Sequence, residues 1–473
     1  MNHINGDAHV NGFDFKSDNE NNSFEIMKPK KYPQGSVFYR NLQYSYPMIE
    51  KGRGPYLFDQ NGKKYFDASG GAAVVNIGHG VREVAGAIGH QAEKAAYVSG
   101  MHFSHSPVEN LAERISGLLP FPGGKVYFLN SGSEAVEASL KLARQYWVEK
   151  GQKSKRHFIS RTPSYHGNTL TALSLSARKH YQEVFQPMLT RNFKIPAPYC
   201  YRCYKDETYP ACELKCAYEL EAAIKKLGRE NVVAFVTEVI GGATTGAAVP
   251  PPAYFRIIRK ICDQNDVLLI TDEVMTGVGR TGKWLASEHF DLVPDIIVLG
   301  KGLTGGYNPL SAVASKKEIV DTLFRNGKSF LHAQTFSHHP VGCAAGVATL
   351  DYIKKHRLVE RCARLGKDLL SETARFLSHP HIGDVRGKGL LIGVEFVKDK
   401  KSKKPFPRKQ KYAENFLARA MEEGLVFWWN TGQADGHNGD LIILAPPYII
   451  GEKEISVILE RMAAVLSEMA KIF

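Results

Sequence analysis

Lys301 stands between two glycines at the end of an apolar run (DIIVLGKG), where a buried strand is expected to end. Lysine is rare in protein cores, so packing gives little reason for its presence there. Partial burial lowers the pKa of a lysine amine and makes it nucleophilic, as the formation of a Schiff base with a carbonyl requires. Lys301 is therefore a candidate for covalent chemistry, and phosphate binding is the competing role.

Asp272 and Glu273 end a second apolar run (VLLITDEV). Carboxylates at the end of a buried strand are costly unless a cationic group pairs with them. A protonated pyridine nitrogen would be such a partner, because an adjacent carboxylate holds the proton on and keeps the ring an electron sink. A metal site is the alternative, but adjacent residues of a strand point to opposite faces, so one shared metal ion is not expected.

Two further segments also follow apolar runs. Ser131, Gly132 and Ser133 stand between the run VYFLN and a long helical pattern, and N–H groups at a helix start favour a phosphate site. The alternative is a plain helix cap at Ser133, without a capping box because Val136 stands three residues later. Tyr165, after the run HFIS, could lay its ring against a planar ligand or pack in the core.

These four segments belong to a repeated order of strand, turn and helix that begins after Lys125. The strand-like runs are short and continuously apolar, which is typical of strands buried on both faces of a parallel sheet. An α/β domain of this kind places its ligands at the carboxyl ends of the strands. We therefore expect the four segments to meet at one edge of the sheet.

The two ends of the chain show other patterns. From Gly54, apolar and polar residues alternate around Asn61-Gly62, which predicts a β-hairpin, and after about Pro340 strands and helices mix as in a smaller α+β lobe. Residues 1–25 or so are polar and lack a helix or strand period. The predicted organisation is a mobile N-terminal arm (1–32), the N-terminal part of a small domain (33–75), a large domain (76–345) and a C-terminal small domain (346–473).

Composition narrows the function classes. A chain of 473 residues is long for a single hydrophobic core, which favours two or more domains. No apolar run approaches the roughly 20 residues that span a bilayer. The N-terminal residues do not show the pattern of a secretory signal. The formal charge is +13, but the run Lys398–Lys411 alone holds eight basic residues against one aspartate, and no RNA-binding or zinc-finger signature accompanies it. Seven cysteines favour a reducing compartment. We expect a cytoplasmic protein without membrane or nucleic-acid partners, and a solvated loop at the basic run.

Taken together, the segments resemble the class III aminotransferases of pyridoxal-phosphate (PLP) fold type I, from about residue 35 to the C-terminus. The resemblance rests on NSGSEAVEA, SYHGNT, TDEVMTGVGRTGKW, PDIIVLGKGLTGGYNPLSAV and QTFSHHP. It implies a large domain with a mainly parallel, mixed sheet between helices, a smaller α+β domain, and PLP as the cofactor. It also implies a homodimer, or a larger assembly such as a tetramer, with active sites at the subunit interface. We assign no metal ligands to the active site.

The resemblance also implies roles for individual residues. Lys301 matches the lysine that forms the Schiff base with PLP and then shuttles a proton, and Asp272 matches the carboxylate that pairs with the pyridine nitrogen. The other matches are Tyr165 and Val274 on the two faces of the ring, Ser131, Gly132 and Ser133 around the phosphate, Thr335 reaching the phosphate of the neighbouring subunit, and Glu238 beside the cofactor.

Two departures from the family pattern bear on the substrate. Many relatives that use an α-keto acid carry an Arg shortly before the segment that matches Ala445-Pro446-Pro447, whereas no Arg occurs here between Arg419 and Arg461. Met275 stands where relatives often carry Gln, which makes that wall more apolar. These departures favour an omega-type transaminase with a primary amine or ω-amino acid as donor and a small keto acid, preferably pyruvate, as acceptor.

Two alternatives stay open. If the enzyme preferred 2-oxoglutarate, another cation, such as Arg161 or Lys283, would have to take the place of the missing Arg. An amino-acid racemase, epimerase or aminomutase of the same fold would keep the cofactor-binding residues, but it would not depend on a keto-acid acceptor.

An insertion outside these motifs holds four cysteines at short spacing: Cys200, Cys203, Cys212 and Cys216. Four such thiols could close a tetrahedral zinc site, pair as disulfides or remain free. The spacing alone does not choose among these three states.

Overall fold

The computed structural model describes residues 33–473, so the predicted N-terminal arm (1–32) lies outside the described residues. The strands are β1 (Ile49–Arg53), β2 (Tyr56–Asp59), β3 (Lys64–Asp67), β4 (Lys125–Leu129), β5 (His157–Thr162), β6 (Phe193–Pro196), β7 (Val232–Glu238), β8 (Leu268–Asp272), β9 (Ile296–Leu299), β10 (Ser311–Ser315), β11 (Ile382–Lys388), β12 (Leu391–Phe396), β13 (Leu425–Val426), β14 (Trp428–Thr431) and β15 (Asp440–Leu444).

The helices are α1 (Gly70–Ala73), α2 (Arg82–Lys94), α3 (Ser106–Ser116), α4 (Gly132–Glu149), α5 (Leu170–Leu175), α6 (Lys179–Gln182), α7 (Lys215–Leu227), α8 (Tyr254–Gln264), α9 (Lys317–Arg325), α10 (Pro340–Lys355), α11 (Leu358–Ala374), α12 (Tyr412–Glu422) and α13 (Glu452–Met469). In the part of the chain that the structure describes, no helix combines the length and the apolar character needed to cross a membrane.

The largest sheet has seven strands in the order β4-β10-β9-β8-β7-β5-β6. Strands β5 to β9 pair in parallel, and β10 runs antiparallel to both of its neighbours. Every residue of β7, β8 and β9 is buried, which explains why these segments are continuously apolar until their last residues. The predicted α/β fold with a mainly parallel, mixed sheet is confirmed.

Helices cover both faces of this sheet. Leu269 of β8 belongs to an apolar cluster with Ile224 of α7 and Ile258 of α8, whereas Ile270 belongs to a second cluster with Val136 of α4. Successive residues of a strand point to opposite faces, so each central strand contributes to two apolar layers. The edge where the strands end is left for polar side chains.

Both ends of the chain contribute to two smaller sheets. The predicted hairpin is confirmed, because β2 and β3 pair antiparallel around a turn at Asn61-Gly62, where Gly62 has a φ of 79°. The late strand β13 joins the same sheet by pairing in parallel with β3. The third sheet is antiparallel, in the order β11-β12-β15-β14. This arrangement agrees with a smaller α+β lobe, while the domain boundaries at residues 75 and 345 stay predictions.

The insertion with four cysteines lies beside the third sheet. Cys200 belongs to a 3-10 turn (Cys200–Arg202) and Cys216 to α7, and all four thiols are free. Within residues 33–473, no group of three or more His, Cys, Asp or Glu side chains is placed to hold a metal ion. Burial and the neighbouring thiols nevertheless raise the pKa of Cys216, so the four cysteines lie near one another and the zinc site stays a prediction.

A buried ion network joins this insertion to the third sheet. The carboxylate of Glu395, fully buried in β12, accepts hydrogen bonds from the Arg202 guanidinium, from the Tyr199 hydroxyl and, at 2.8 Å, from Arg386 of β11. Arg386 also donates from Nε to the carbonyl oxygen of Thr245 at 3.0 Å. Burial alone would raise the pKa of Glu395, but the two guanidinium groups hold it below its usual value. One carboxylate thus connects three segments of the chain.

Replacing Glu395 with Gln preserves the shape of the side chain but leaves the Arg202 guanidinium without its counter-charge and leaves Arg386 paired with Asp384 alone. We expect the free energy of unfolding to fall by about 3–5 kcal/mol, as when one partner of a buried ion pair is removed. Folding depresses the pKa of Glu395, so its stabilisation is present above the unfolded-state pKa and is lost as the pH falls through the folded-state pKa. The difference between variant and wild type should therefore shrink in acid.

Urea denaturation followed by circular dichroism at neutral and acidic pH measures both effects. Glu460→Gln, at an exposed position of α13, is the matched control. A loss in Glu395→Gln no larger than the loss in this control would contradict the role of the network.

Candidate active site

A cavity of about 750 Å³ opens at the carboxyl ends of β7 and β8. Ser131 and Thr335 lie outside its lining. The seven other residues predicted to contact the cofactor line it: Gly132, Ser133, Tyr165, Glu238, Asp272, Val274 and Lys301. The four segments therefore meet at one edge of the sheet, as the strand pattern predicted.

Asp272 is the last residue of β8 and is fixed by two hydrogen bonds. Its Oδ2 lies 2.9 Å from Nδ1 of His166, and its Oδ1 accepts the backbone N–H of Val274 at 3.1 Å. His166 is buried, and its Nε2 has no hydrogen-bond partner in the described chain. The sequence analysis did not single out this histidine, although it directly follows Tyr165 in the motif SYHGNT. It orients the carboxylate that faces the cavity.

Glu273 points away from Asp272, as expected for neighbours at the end of a strand. Its carboxylate accepts the backbone N–H groups of Ala286 and of Ser287, the latter at 3.0 Å. Burial raises the pKa of Glu273 to about 7. Of the two adjacent carboxylates, Asp272 lines the cavity and Glu273 does not.

Lys301 follows β9 and begins a single 3-10 turn (Lys301–Leu303) with a φ of 45°. This left-handed backbone conformation is uncommon for a residue other than glycine, and such conformations concentrate at functional sites. Burial lowers the pKa of the Lys301 amine to about 8, while the carboxylates of Asp272 and Glu238 oppose the shift. The unprotonated amine, which is the nucleophile, is therefore more populated near neutral pH than in an ordinary lysine.

Glu238 ends β7, directly beside Asp272 in the parallel register. Its Oε1 accepts the backbone N–H of Gly242 at 2.9 Å, and its Oε2 is buried without a partner among the described residues. Burial raises the pKa of this carboxyl. The Glu238 side chain lines the cavity, while this oxygen itself is almost fully covered.

The start of α4 differs from the sequence-based prediction of a cap at Ser133. The helix begins at Gly132 with Ser131 as its N-cap, and Ser131 and Glu134 form a complete capping box. The Ser131 hydroxyl oxygen accepts the Glu134 N–H at 3.3 Å, and the backbone N–H of Ser131 donates to the Glu134 carboxylate at 2.7 Å. Gly132 and Ser133 contribute unpaired first-turn N–H groups to the cavity wall. A Cβ at Gly132 would lie 2.9 Å from Cγ1 of Val274, which explains the glycine.

The cations around the cavity also differ from those predicted. Arg161 is buried and donates to the carbonyl oxygen of Glu238 at 2.6 Å, and Lys283 is exposed; neither lines the cavity. The guanidinium groups that line it belong to Arg40, which is exposed, and to Arg178, which is partly buried. The suggestion that Arg161 or Lys283 could replace the missing Arg is therefore wrong, because neither side chain reaches the space where a substrate would bind.

Thr335 is exposed and belongs to the segment between α9 and α10. Phe336 on this segment packs edge-on against Tyr97, with ring centroids 6.0 Å apart. Large apolar side chains on these two neighbouring segments are exposed to solvent in the single chain: Tyr97, Met101, Phe103, Leu331 and Phe336. Thr335 therefore lies next to an apolar surface and not in the cavity of its own chain.

The side chains in the cavity fit pyridoxal phosphate. The unpaired N–H groups at the start of α4 suit a phosphate, and the fixed carboxylate of Asp272 suits a protonated ring nitrogen. The ring of Tyr165 provides an aromatic surface, and the partnerless oxygen of Glu238 provides a further acceptor. The amine of Lys301 can attack a carbonyl carbon.

A family model, similar protein sequences and similar solved structures all indicate the same family. The family model described as aminotransferase class-III matches residues 39–466. The uncharacterized aminotransferase YodT of Bacillus subtilis is 40% identical over 435 residues, covering 91% of this chain and 98% of the relative. The adenosylmethionine-8-amino-7-oxononanoate aminotransferase of Methanocaldococcus jannaschii is 34% identical over 435 residues, covering 89% and 92%.

Among solved structures, an (S)-enantioselective omega-transaminase from Thermomicrobium roseum superposes with a TM-score of 0.86 at 36% identity, covering 92% of this chain and 96% of that one. These relatives are aminotransferases, and they give no support to the racemase, epimerase or aminomutase alternative. The chain belongs to the class III aminotransferases, a family of PLP-dependent transaminases.

Proposed function

We propose that this aminotransferase is a homodimeric enzyme that moves an amino group from a primary amine or an ω-amino acid to a small keto acid, with pyruvate favoured. One observation carries the proposal. The cavity that holds Lys301 and Asp272 has a largely apolar lining, with Leu173, Ile240, Met275 and Trp428 among its residues. Such a lining favours the apolar part of an amine donor over a second charged group.

We assign the chemical steps to Lys301 and Asp272. When bound, PLP supplies a conjugated ring that accepts the electron pair released at the substrate carbon. Lys301 would hold the cofactor covalently through Nζ and, once the substrate amine has displaced it, move a proton at that carbon. Asp272, oriented by His166, would keep the proton on the ring nitrogen.

The other cavity residues would position the ring and its phosphate. Val274 and Tyr165 would contact its two faces, and Glu238 would lie beside it. Gly132 and Ser133 would donate backbone N–H groups to the phosphate, where the helix dipole also favours negative charge. The backbone N–H of Ser131 is bound by Glu134, so Ser131 would reach the phosphate only through the hydrogen of its hydroxyl group.

The acceptor preference follows from the cations in the cavity. We assign Lys301 to the cofactor, and Arg40 is exposed. Within the described chain, the guanidinium of Arg178 is then the single partly buried one that can bind a substrate carboxylate. A dicarboxylate such as 2-oxoglutarate would bury one charge without a partner, which is unfavourable. A keto acid with one carboxylate avoids this cost.

The position of Thr335 supports the proposed dimer. Its hydroxyl lies outside the cavity of its own chain, beside exposed apolar side chains that include Met101 and Leu331. Contiguous exposed apolar surface marks interaction sites, and most soluble homo-oligomers use the same patch on both subunits. We infer that a second subunit covers this surface and receives Thr335 at its phosphate site.

Lys301→Ala should lose the PLP attachment that borohydride reduction makes permanent. Turnover should fall by several orders of magnitude, because the loss of proton transfer alone costs about 10²–10⁴-fold and the covalent role is lost with it. Mass spectrometry after reduction and a transaminase assay measure the two effects. Lys283→Ala, at an exposed position outside the cavity, is the control. Turnover in Lys301→Ala equal to that of the control would refute the assignment.

Pyruvate should give a specificity constant at least about tenfold above that of 2-oxoglutarate. An unpaired charge forfeits a hydrogen bond worth roughly 1.5–3 kcal/mol, and 1.4 kcal/mol corresponds to a decade. The matched comparison is 2-oxovalerate, which has the chain length of 2-oxoglutarate without the second carboxylate. If 2-oxoglutarate exceeded both monocarboxylates, the acceptor proposal would be wrong, while the PLP chemistry would stand.

Thr335→Ala should weaken PLP binding by about tenfold, since a hydrogen bond to a charged group is lost. A hybrid dimer of one Lys301→Ala subunit and one Thr335→Ala subunit, isolated through two different affinity tags, tests whether the threonine acts across the interface. In that hybrid one site combines Lys301 and Thr335 from different subunits, so it should bind PLP as tightly as wild type. A hybrid whose only Lys301-containing site binds PLP as weakly as Thr335→Ala would place the threonine in its own chain's site.

A further inference from the structure

Arg178 carries a positive charge that no carboxylate balances in residues 33–473. One terminal nitrogen (Nη2) donates to Oδ1 of Asn430 and lies 3.4 Å from Nε2 of His180. Its Nε is buried and has no hydrogen-bond partner among the described residues. Burial lowers the pKa of this guanidinium. A desolvated cation with unused donors is unfavourable by itself, so a ligand that supplies the missing charge would bind strongly.

Two aromatic rings hold the guanidinium inside the cavity. Its central carbon lies 4.0 Å from the ring centroid of Tyr181 and 5.8 Å from that of Tyr165. Tyr165 lines the same cavity as Lys301, so the guanidinium lies beside the cofactor residues and not at a separate surface. Stacking on aromatic rings fixes the orientation of an arginine, which leaves its free N–H groups pointing in a set direction.

The hydrogen bond to Asn430 places Arg178 next to β14. Asn430 is buried in β14, the strand that leads into the stretch 432–439. That stretch precedes Ala445-Pro446-Pro447 and lies within the part of the chain, between Arg419 and Arg461, that contains no Arg. The guanidinium of Arg178, at the start of α6, thus contacts β14, the strand that leads into the segment without an Arg.

We propose that Arg178 binds the carboxylate of the substrate and takes the place of the Arg missing between Arg419 and Arg461. This inference rests on the proposed function, because it assumes that the cavity takes a keto acid. Asn430 takes one N–H of Nη2 and Nε is buried, so Nη1 and the second N–H of Nη2 remain to donate to the two carboxylate oxygens. Arg178 then distinguishes substrates that carry a carboxylate from amines and aldehydes that do not.

The test compares two acceptors in the PLP-loaded enzyme, with 1-phenylethylamine as the donor. Pyruvate carries a carboxylate and propanal does not. Arg178→Gln should raise the KM of pyruvate by about tenfold to a hundredfold, as expected for the loss of a charged hydrogen-bonded pair. The KM of propanal should change less than about twofold. Arg178→Lys keeps the charge but not the planar fork, so it should recover part of the affinity for pyruvate.

Lys179→Gln is the matched control, because it removes the neighbouring cation, which is exposed and does not line this cavity. It should leave both KM values at the wild-type level. Titration calorimetry with propionate, a carboxylate that cannot accept an amino group, measures binding without turnover. Propionate affinity should fall in Arg178→Gln by a factor similar to that for pyruvate and stay unchanged in Lys179→Gln.

Equal increases in KM for pyruvate and propanal would overturn the proposal, since they would indicate a general defect of the cavity. An unchanged KM for pyruvate would also overturn it. If the wild-type enzyme transferred no amino group to either acceptor, the proposed function would fail, and propionate binding would still decide the role of Arg178. Weaker binding in Arg178→Gln alone would support that role, and equal binding would exclude it.

Discussion

The parallel register of β7, β8 and β9 brings two carboxylates and an amine to one buried sheet edge, and the rest of the active site depends on this arrangement. Glu238 and Asp272 end neighbouring strands at paired positions, and Lys301 follows the next strand. Burial raises the pKa of Glu238 and lowers that of Lys301, while the opposite charges oppose both shifts. Because the backbone sets the spacing of these groups, the charges are in place before any ligand binds, which is the condition for electrostatic preorganisation.

The third sheet completes the cavity from a distant part of the chain. Trp428 of β14 lines the cavity and Asn430 of the same strand holds Arg178, so the position of this sheet sets one wall. Arg386 connects the sheet to the carbonyl oxygen of Thr245, three residues after Gly242, whose N–H binds Glu238. The buried Glu395 network is therefore connected, through the segment 242–245, to Glu238, which lines the cavity.

The features predicted from the sequence are those encoded within a few consecutive residues. Lys301 and Asp272 each end a continuous apolar run, so their strand-end positions followed from a local rule. His166 was missed because its partner Asp272 is 106 residues away, although its neighbour Tyr165 had been selected. The cap of α4 was misplaced at Ser133, even though Ser131 followed by Glu134 has the spacing of a capping box. The spacing of Ser131 and Glu134, taken together, places the cap at Ser131.

The cation for the substrate carboxylate could not be located from the sequence for a different reason. In the proposed function, Lys301 and Asp272 contact fixed atoms of the cofactor, so the size of the cofactor would constrain their positions on the sheet. A substrate carboxylate needs only a desolvated guanidinium with free N–H groups, and any segment that reaches the cavity can supply it. Arg178 and its partner Asn430 are 252 residues apart, and Arg161 is excluded only by the direction in which its side chain points. The sequence shows only that the usual segment carries no Arg. In the folded cavity the guanidinium of Arg178 has no carboxylate partner among residues 33–473, and this unpaired charge indicates where a substrate carboxylate can bind.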